Sequence, residues 1–168
     1  MSPEFDPIPG AGGYQHSNPP VFSSLPLIAT LEIIDRAGGI DALRVKSEKL
    51  TGYFWDLLVK SKWYRGLTAP ESDAVDLETE RHSGPGFKIL TPSDPTQRGC
   101  QLSLLILPPG SGNMDAVFQR MVERGVVGDE RRPDVMRLSA VPLYNRFVDV
   151  RRAADELDRA FEGLVGGN

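Results

Sequence analysis

An α+β fold is predicted for this 168-residue chain, and three observations predict it. Apolar residues recur at helical spacing in two segments near the front. From Phe87 onward the period changes to two, in short apolar runs. Two further helical patterns interrupt and then close that part. The resulting order, α, α, β, β, α, β, β, α, predicts a small domain with a mostly antiparallel sheet of about four strands and helices packed on one face.

Residues 1 to 20 form an extended lead-in, because "PIPGAGG" and "SNPP" are turn chemistry rather than an element. The lead-in reads as the continuation of something longer. A first helix is predicted from near Phe22, with Leu27, Ile28, Leu31 and Ile34 at helical spacing and "AGG" at 37–39 stopping it. A second follows at once. Ile40, Leu43, Ser47, Leu50, Phe54, Leu57 and Leu58 form its buried stripe, with Arg44, Lys46, Glu48 and Lys49 facing water. The short Gly-Gly connection predicts that the two helices pack as neighbours.

Periodicity disappears over 65–86, where "APESDAVDLETERHSGPG" is acidic and carries proline and glycine, so this stretch reads as a mobile surface loop. "FKIL" is a short strand, and "QLSLLILP" is nearly continuously apolar, as a central strand is. "GSGN" supplies a turn and a helix cap, with Asn113 the better capping residue. Met114, Val117, Phe118, Met121 and Val122 then mark a helix that Gly125 ends. "VVGD" and "MRLSAVP" are two more strands joined through "ERRPD". The last helix runs from Phe147, with Val150, Ala153, Ala154, Leu157, Ala160, Phe161 and Leu164 on its apolar face. Arg151, Arg152, Asp155, Glu156, Arg159 and Glu162 lie on the other. The division this implies is a lead-in over 1–20 and a crossover helix with a small α+β domain over 21–168.

Composition excludes several functions. Apolar content of 40% with 25% charged residues is that of a soluble globular chain. A net charge of −4 argues against a nucleic-acid binder, which needs a basic face. No apolar stretch approaches the roughly 18 residues that span a bilayer, and "MSPEFD" is too acidic for a secretory signal. One cysteine, Cys100, precludes an internal disulfide and fits a reducing compartment. A cytoplasmic protein is expected.

No stretch is a self-contained catalytic signature, and no catalytic residue is assigned. "PGAGG" lacks the lysine and hydroxyl of a phosphate loop. His16 and His82 have no metal-ligand spacing to each other or to Cys100, so no metal site is assigned. Cys100 opens an apolar strand, the place of a buried, inert thiol. Arg137 differs. In "MRLSAVP", Met136, Leu138 and Ala140 share one strand face and Arg137, Ser139 and Val141 the other. If helices cover the first face, the guanidinium leaves from the opposite one. Solvent exposure is the commoner fate there; a carboxylate held by the rigid guanidinium fork is the functional reading. Ser17 and Asn18 likewise admit a turn role or contact with a phosphate or ring substituent from a proline-stiffened loop.

"PIPGAGGYQHSNPP", "RGCQLSLLI" and "RGVVGDERRPDVMRLSAVPLYNRFVDV" together resemble the C-terminal part of kynureninase, a pyridoxal-phosphate enzyme of the aminotransferase-like fold. The resemblance covers nearly the whole chain from about residue 7 except the acidic loop. It implies hydrolysis of L-kynurenine or 3-hydroxykynurenine to an anthranilate and L-alanine, in tryptophan catabolism and NAD biosynthesis, by a homodimeric enzyme whose cofactor acts as an electron sink. Arg137 matches the arginine that holds the substrate's α-carboxylate. Asn18 matches the position reaching the cofactor phosphate or the substrate's aryl end, and Ser17 its neighbour; His16 is not carried over. The Schiff-base lysine belongs to an upstream domain, and none of the lysines at 46, 49, 60, 62 and 88 matches it. The 168-residue piece alone is therefore expected to be inactive. Two other readings compete. A cysteine desulfurase of the same fold would want a cysteine on a flexible loop, which Cys100 does not supply. A non-catalytic protein-binding or dimerisation module derived from such an enzyme would need no lysine.

Overall fold

The computed structural model describes residues 6–67 and 84–166, and its chain divides into two compact units, Met1–Gly39 and Ile40–Asn168. In the first unit a 3-10 turn at Ala11–Tyr14 precedes helix α1, Val21–Arg36. The helix starts after Pro19-Pro20, Pro20 being extended at φ −68° and ψ 127°. Ser24 Oγ and Thr30 Oγ1 donate to the carbonyls of Pro20 and Pro26, 3.2 and 2.7 Å away. Gly38, at φ 100°, ends the run in a conformation that side chains disfavour. None of its residues is buried: Phe22 is 89% exposed, and Leu27, Ile28 and Leu31 are exposed too. Val21, Phe22, Leu25, Leu27, Ile28, Leu31 and Ile33 are spread round the helix, so helical spacing here marks apolar character and not a core stripe.

The second unit contains helix α2, Gly39–Val59, then strands β1 (Tyr64–Leu67), β2 (Gly86–Ile89) and β3 (Gln101–Leu107). Helix α3 (Asn113–Glu123), strands β4 (Asp129–Arg131) and β5 (Val135–Ser139), and helix α4 (Phe147–Val165) complete it. The fold is α+β, as the sequence predicts, with one strand more than expected among the described residues. The five strands lie in the order β1-β2-β3-β5-β4. β1 and β2 are parallel, and the other three pairings are antiparallel.

Helices cover one face of this sheet. Phe87, Ile89, Leu102, Leu104, Ile106, Met136 and Leu138 point into a core with Leu50, Phe54 and Leu58 of α2, Met114, Val117 and Met121 of α3, and Val150, Leu157 and Phe161 of α4. Each fully buried side chain of this size is worth about 1.5–3 kcal/mol. Phe161 packs against both Trp63 and Phe87, with ring centroids 5.3 and 5.9 Å away. Of the predicted α2 stripe, Ser47, Leu50, Phe54 and Leu58 are buried, but Ile40 at the helix start is 67% exposed. Arg44 and Lys46 do not simply face water. Arg44 donates to the Pro95 and Arg98 carbonyls, and Lys46 Nζ to the Pro142 carbonyl at 2.6 Å.

Four local expectations are corrected. β1 arises where the sequence suggests an aperiodic loop: a four-residue edge strand is too short to show alternation; residues 68–83 of that loop lie outside the described residues. "VVGD" is strand only at Asp129. Val126 packs on the core, while the charged "DER" forms β4, an edge where charged side chains suit solvent. Gly112, at φ 79°, takes the N-cap position of α3, and Asn113 is its first helical residue, its Nδ2 donating to the Leu107 carbonyl at 2.9 Å. Glu156 is buried, 2.5 Å from Arg159 Nη1 and 3.6 Å from Arg124 Nε, so two arginines compensate its charge.

Candidate functional site on the open face of the sheet

Alternation along β5 sends Met136 and Leu138 into the core, 0% and 3% exposed, and Arg137 to the opposite face of the sheet. Ser103 of β3 and Asp129 of β4 stand in register on either side of Arg137. The guanidinium keeps 28% of its side-chain surface exposed. It already holds a carboxylate of its own chain. Its Nε donates to Asp129 Oδ2 at 2.8 Å, and its Nη2 donates to the same oxygen. Arg131 Nη2 reaches that oxygen too, at 2.9 Å. All three donors therefore converge on one carboxylate oxygen at the sheet edge.

Beside this cluster lies a cavity of about 270 Å³, lined by Arg137, Asp129, Ser139, Val127, Tyr144 and Asn145 among others. Its walls are set by the chain between β5 and α4. Asn145 Oδ1 accepts from the Val141 amide and the Asn145 amide donates to the Val141 carbonyl, at 2.8 and 2.9 Å, closing this segment into a tight turn. Lys46 fixes the same turn through Pro142. Tyr144 is 69% exposed, so its phenol stands at the cavity rim. Gly128 presses against β5: a Cβ there would sit 2.9 Å from the Arg137 carbonyl oxygen and 2.9 Å from Leu138 Cδ2. Only glycine allows β4 to approach closely enough for Asp129 to meet Arg137.

A second cavity, also about 270 Å³, shares Val127, Ser139 and Asn145 with the first and runs toward the start of α4. There the Asp149 carboxylate accepts from both the Arg146 side chain and the Arg146 backbone amide, and so caps the helix N-terminus from one side. That grip by Arg146 holds the Asp149 carboxyl below the ordinary carboxylate range, the side-chain bond contributing most.

Ser17 and Asn18 lie in the first unit, between the 3-10 turn and α1, and both are exposed. Neither side chain has a hydrogen-bond partner among the described residues, so no Asx-type turn forms there. The loop before them is tightly wound: a Cβ on Gly13 would fall 2.4 Å from the Ile8 carbonyl oxygen. Cys100 is half-buried, one residue ahead of β3, and its carbonyl accepts from the Ala140 amide at 2.8 Å. His82 lies outside the described residues.

Sequence reasoning found Arg137 through its strand period but missed Asp129, Arg131 and Asn145. By sequence Asp129 belongs to the strand "VVGD" and "ERRPD" is the connector after it, and nothing in the string shows that a hairpin folds Asp129 back onto Arg137. No lysine lines the Arg137 cavity among the described residues; Lys46 is engaged with Pro142, and Lys62 with Glu162 at 2.8 Å. A group that needs a covalent lysine anchor is therefore not accommodated by this cavity's own residues. None of the helices among the described residues is long and apolar enough to cross a membrane.

The family model described as kynureninase C-terminal domain matches residues 69–157, which include Arg137, Asp129 and the 141–145 turn. Kynureninase of Cryptococcus neoformans is 48% identical over 162 residues, covering 96% of this chain and 33% of that protein. Kynureninase of Nematostella vectensis is 42% identical over 165 residues, covering 98% of this chain and 32% of that protein. Kynureninase of Xanthomonas campestris is 42% identical over 158 residues, covering 94% of this chain and 32% of that protein. The chain thus spans about a third of the length of the curated relatives it matches. On this match, the chain belongs to the kynureninase C-terminal domain family.

Proposed function

We propose that this chain is the C-terminal part of a pyridoxal-phosphate-dependent hydrolase that cleaves L-kynurenine or 3-hydroxykynurenine to the corresponding anthranilate and L-alanine. Arg137 receives the substrate's α-carboxylate. Asn18, with Ser17 beside it, contacts the cofactor phosphate or the aryl end of the substrate. The observation that carries this reading is the placement of the guanidinium: it leaves the face of the sheet opposite the core, stays partly exposed, and lines a cavity large enough for the carboxyl end of an amino acid. A planar, permanently charged fork suits a carboxylate better than any other side chain does. The unpartnered Ser17 and Asn18 side chains, in a loop held by the Gly13 turn, support a contact role over a local turn role.

Pyridoxal phosphate, when bound, supplies the electron sink for the carbanion formed at the substrate's α-carbon. Its lysine anchor is assigned to the portion of the relatives that this chain does not match. What this chain's own residues do is narrower: they bind and orient the substrate's carboxyl end. In this reading the full protein is a cytoplasmic homodimer and the 168-residue chain alone does not turn over. Incubating the chain with pyridoxal phosphate and kynurenine while following anthranilate fluorescence tests this. No product is expected, and steady product formation overturns the division of labour. In the full-length enzyme, R137A is expected to cost about 2–4 kcal/mol of transition-state binding, as loss of a desolvated charge partner does. An unchanged kcat/KM removes Arg137 from the site.

A further inference from the structure

The geometry points to Asp129 as the positioning residue for Arg137, one that turns the guanidinium so that its terminal edge, not its Nε side, meets the substrate's carboxylate; this inference rests on the reading of Arg137 as the carboxylate site. A guanidinium carries five N–H donors arranged as two forks, a side-on fork made by Nε and one hydrogen of Nη2, and an end-on fork made by Nη1 and the other hydrogen of Nη2. Asp129 Oδ2 takes both donors of the side-on fork. That leaves three donors, and among the described residues none of them has a partner. The end-on fork is thus intact and belongs to a group that lines the cavity.

Asp129 is itself held. Arg131 grips the same Oδ2, and in-register pairing of β4 with β5 fixes the backbone under both residues. Gly128 lets β4 lie close against β5, so the two side chains leave backbones held side by side. Charge balance agrees with the assignment. Two guanidinium groups against one carboxylate leave a single net positive charge on the cluster beside the cavity, although only Arg137 and Asp129 of the three line it. If Asp129 instead competed with substrate for the arginine, its removal would tighten substrate binding. If it positions the arginine, its removal weakens binding even though the local charge becomes more positive. The two roles therefore differ in the sign of one effect.

Removing the side-chain acceptor, in D129A, frees the guanidinium to rotate. D129N keeps the volume and an acceptor oxygen while losing the charge, so it tests geometry separately from charge and guards against a folding defect. In the full-length enzyme, kcat and KM for kynurenine are measured for D129A, D129N, R137A and the D129A/R137A double variant. Binding of a decarboxylated substrate analogue is measured beside them. Positioning predicts that D129A loses about tenfold in kcat/KM, mostly through KM, as loss of a bond to a charged group does. D129N stays within about threefold, D129A adds nothing to R137A, and the decarboxylated analogue binds all variants alike. A lower KM in D129A, a D129A loss repeated in full on the R137A background, or a D129N loss as large as that of D129A overturns the positioning role while leaving Arg137 in place. Wild-type kinetics in R137A overturn the reading of Arg137 itself, and this inference with it.

Discussion

The two faces of the sheet carry different kinds of side chain, and β5 shows it within three residues. Met136 and Leu138 are sealed beneath the helices, whereas Arg137 between them keeps 28% of its side chain exposed and pairs with Asp129, which Arg131 also holds. One strand thus supplies stability on one side and, in the proposed reading, recognition on the other, because its side chains alternate. A change on the covered face should alter folding, and a change on the open face should alter binding with little effect on folding. That separation can be broken or sharpened by experiment.

The largest effect is expected beneath the helices. Phe87→Ala removes a ring that is 0% exposed and packed on Phe161, and should cost about 3–5 kcal/mol in urea unfolding. Next comes R137A, expected to change the unfolding free energy by no more than about 1 kcal/mol, since a partly exposed ion pair contributes little to stability. Its loss of kcat/KM should nevertheless be the largest of any substitution on the open face. A midpoint drop comparable to that of Phe87→Ala would merge the two tasks.

Gly128→Ala should couple them. Its Cβ has no room against the Arg137 carbonyl and Leu138, and overpacking of this kind costs about 1–3 kcal/mol. Both unfolding midpoint and KM should shift, because β4 must retreat from β5. The smallest effect concerns the cap on α4. The Asp149 carboxyl is depressed by Arg146, so its contribution is fully present above the ordinary carboxylate range and is lost as pH falls through its lowered value. Circular dichroism should show helix stability declining in that acid window, and Asp149→Ala should flatten the decline. An identical acid profile in the variant would assign the decline to other groups.

Much of this molecule was legible in its sequence, and for a common reason. Helices α2, α3 and α4 show one apolar stripe each, so the 3.6-residue period survives in the string. Arg137 was found because a two-residue period places it opposite Met136 and Leu138. Where the sequence misleads, long-range pairing decides. Glu156 sits on the charged side of α4 by pattern, yet Arg124 and Arg159 allow it to be buried. Asp129 meets Arg137 only through a hairpin, and β1 owes its existence to β2 rather than to its own residues. The apolar residues of α1 repeat helically without forming a buried face, so periodicity alone does not distinguish a core helix from an exposed one.

The role of Arg137 is tested most directly by a crystal structure of the full-length enzyme with a carboxylate-bearing substrate analogue bound. The account predicts the analogue's carboxylate on the Nη1–Nη2 edge of Arg137 at about 2.7–2.9 Å, with Asp129 still on the Nε side. A carboxylate bound by other groups, while Arg137 remains paired to Asp129 alone, would contradict it.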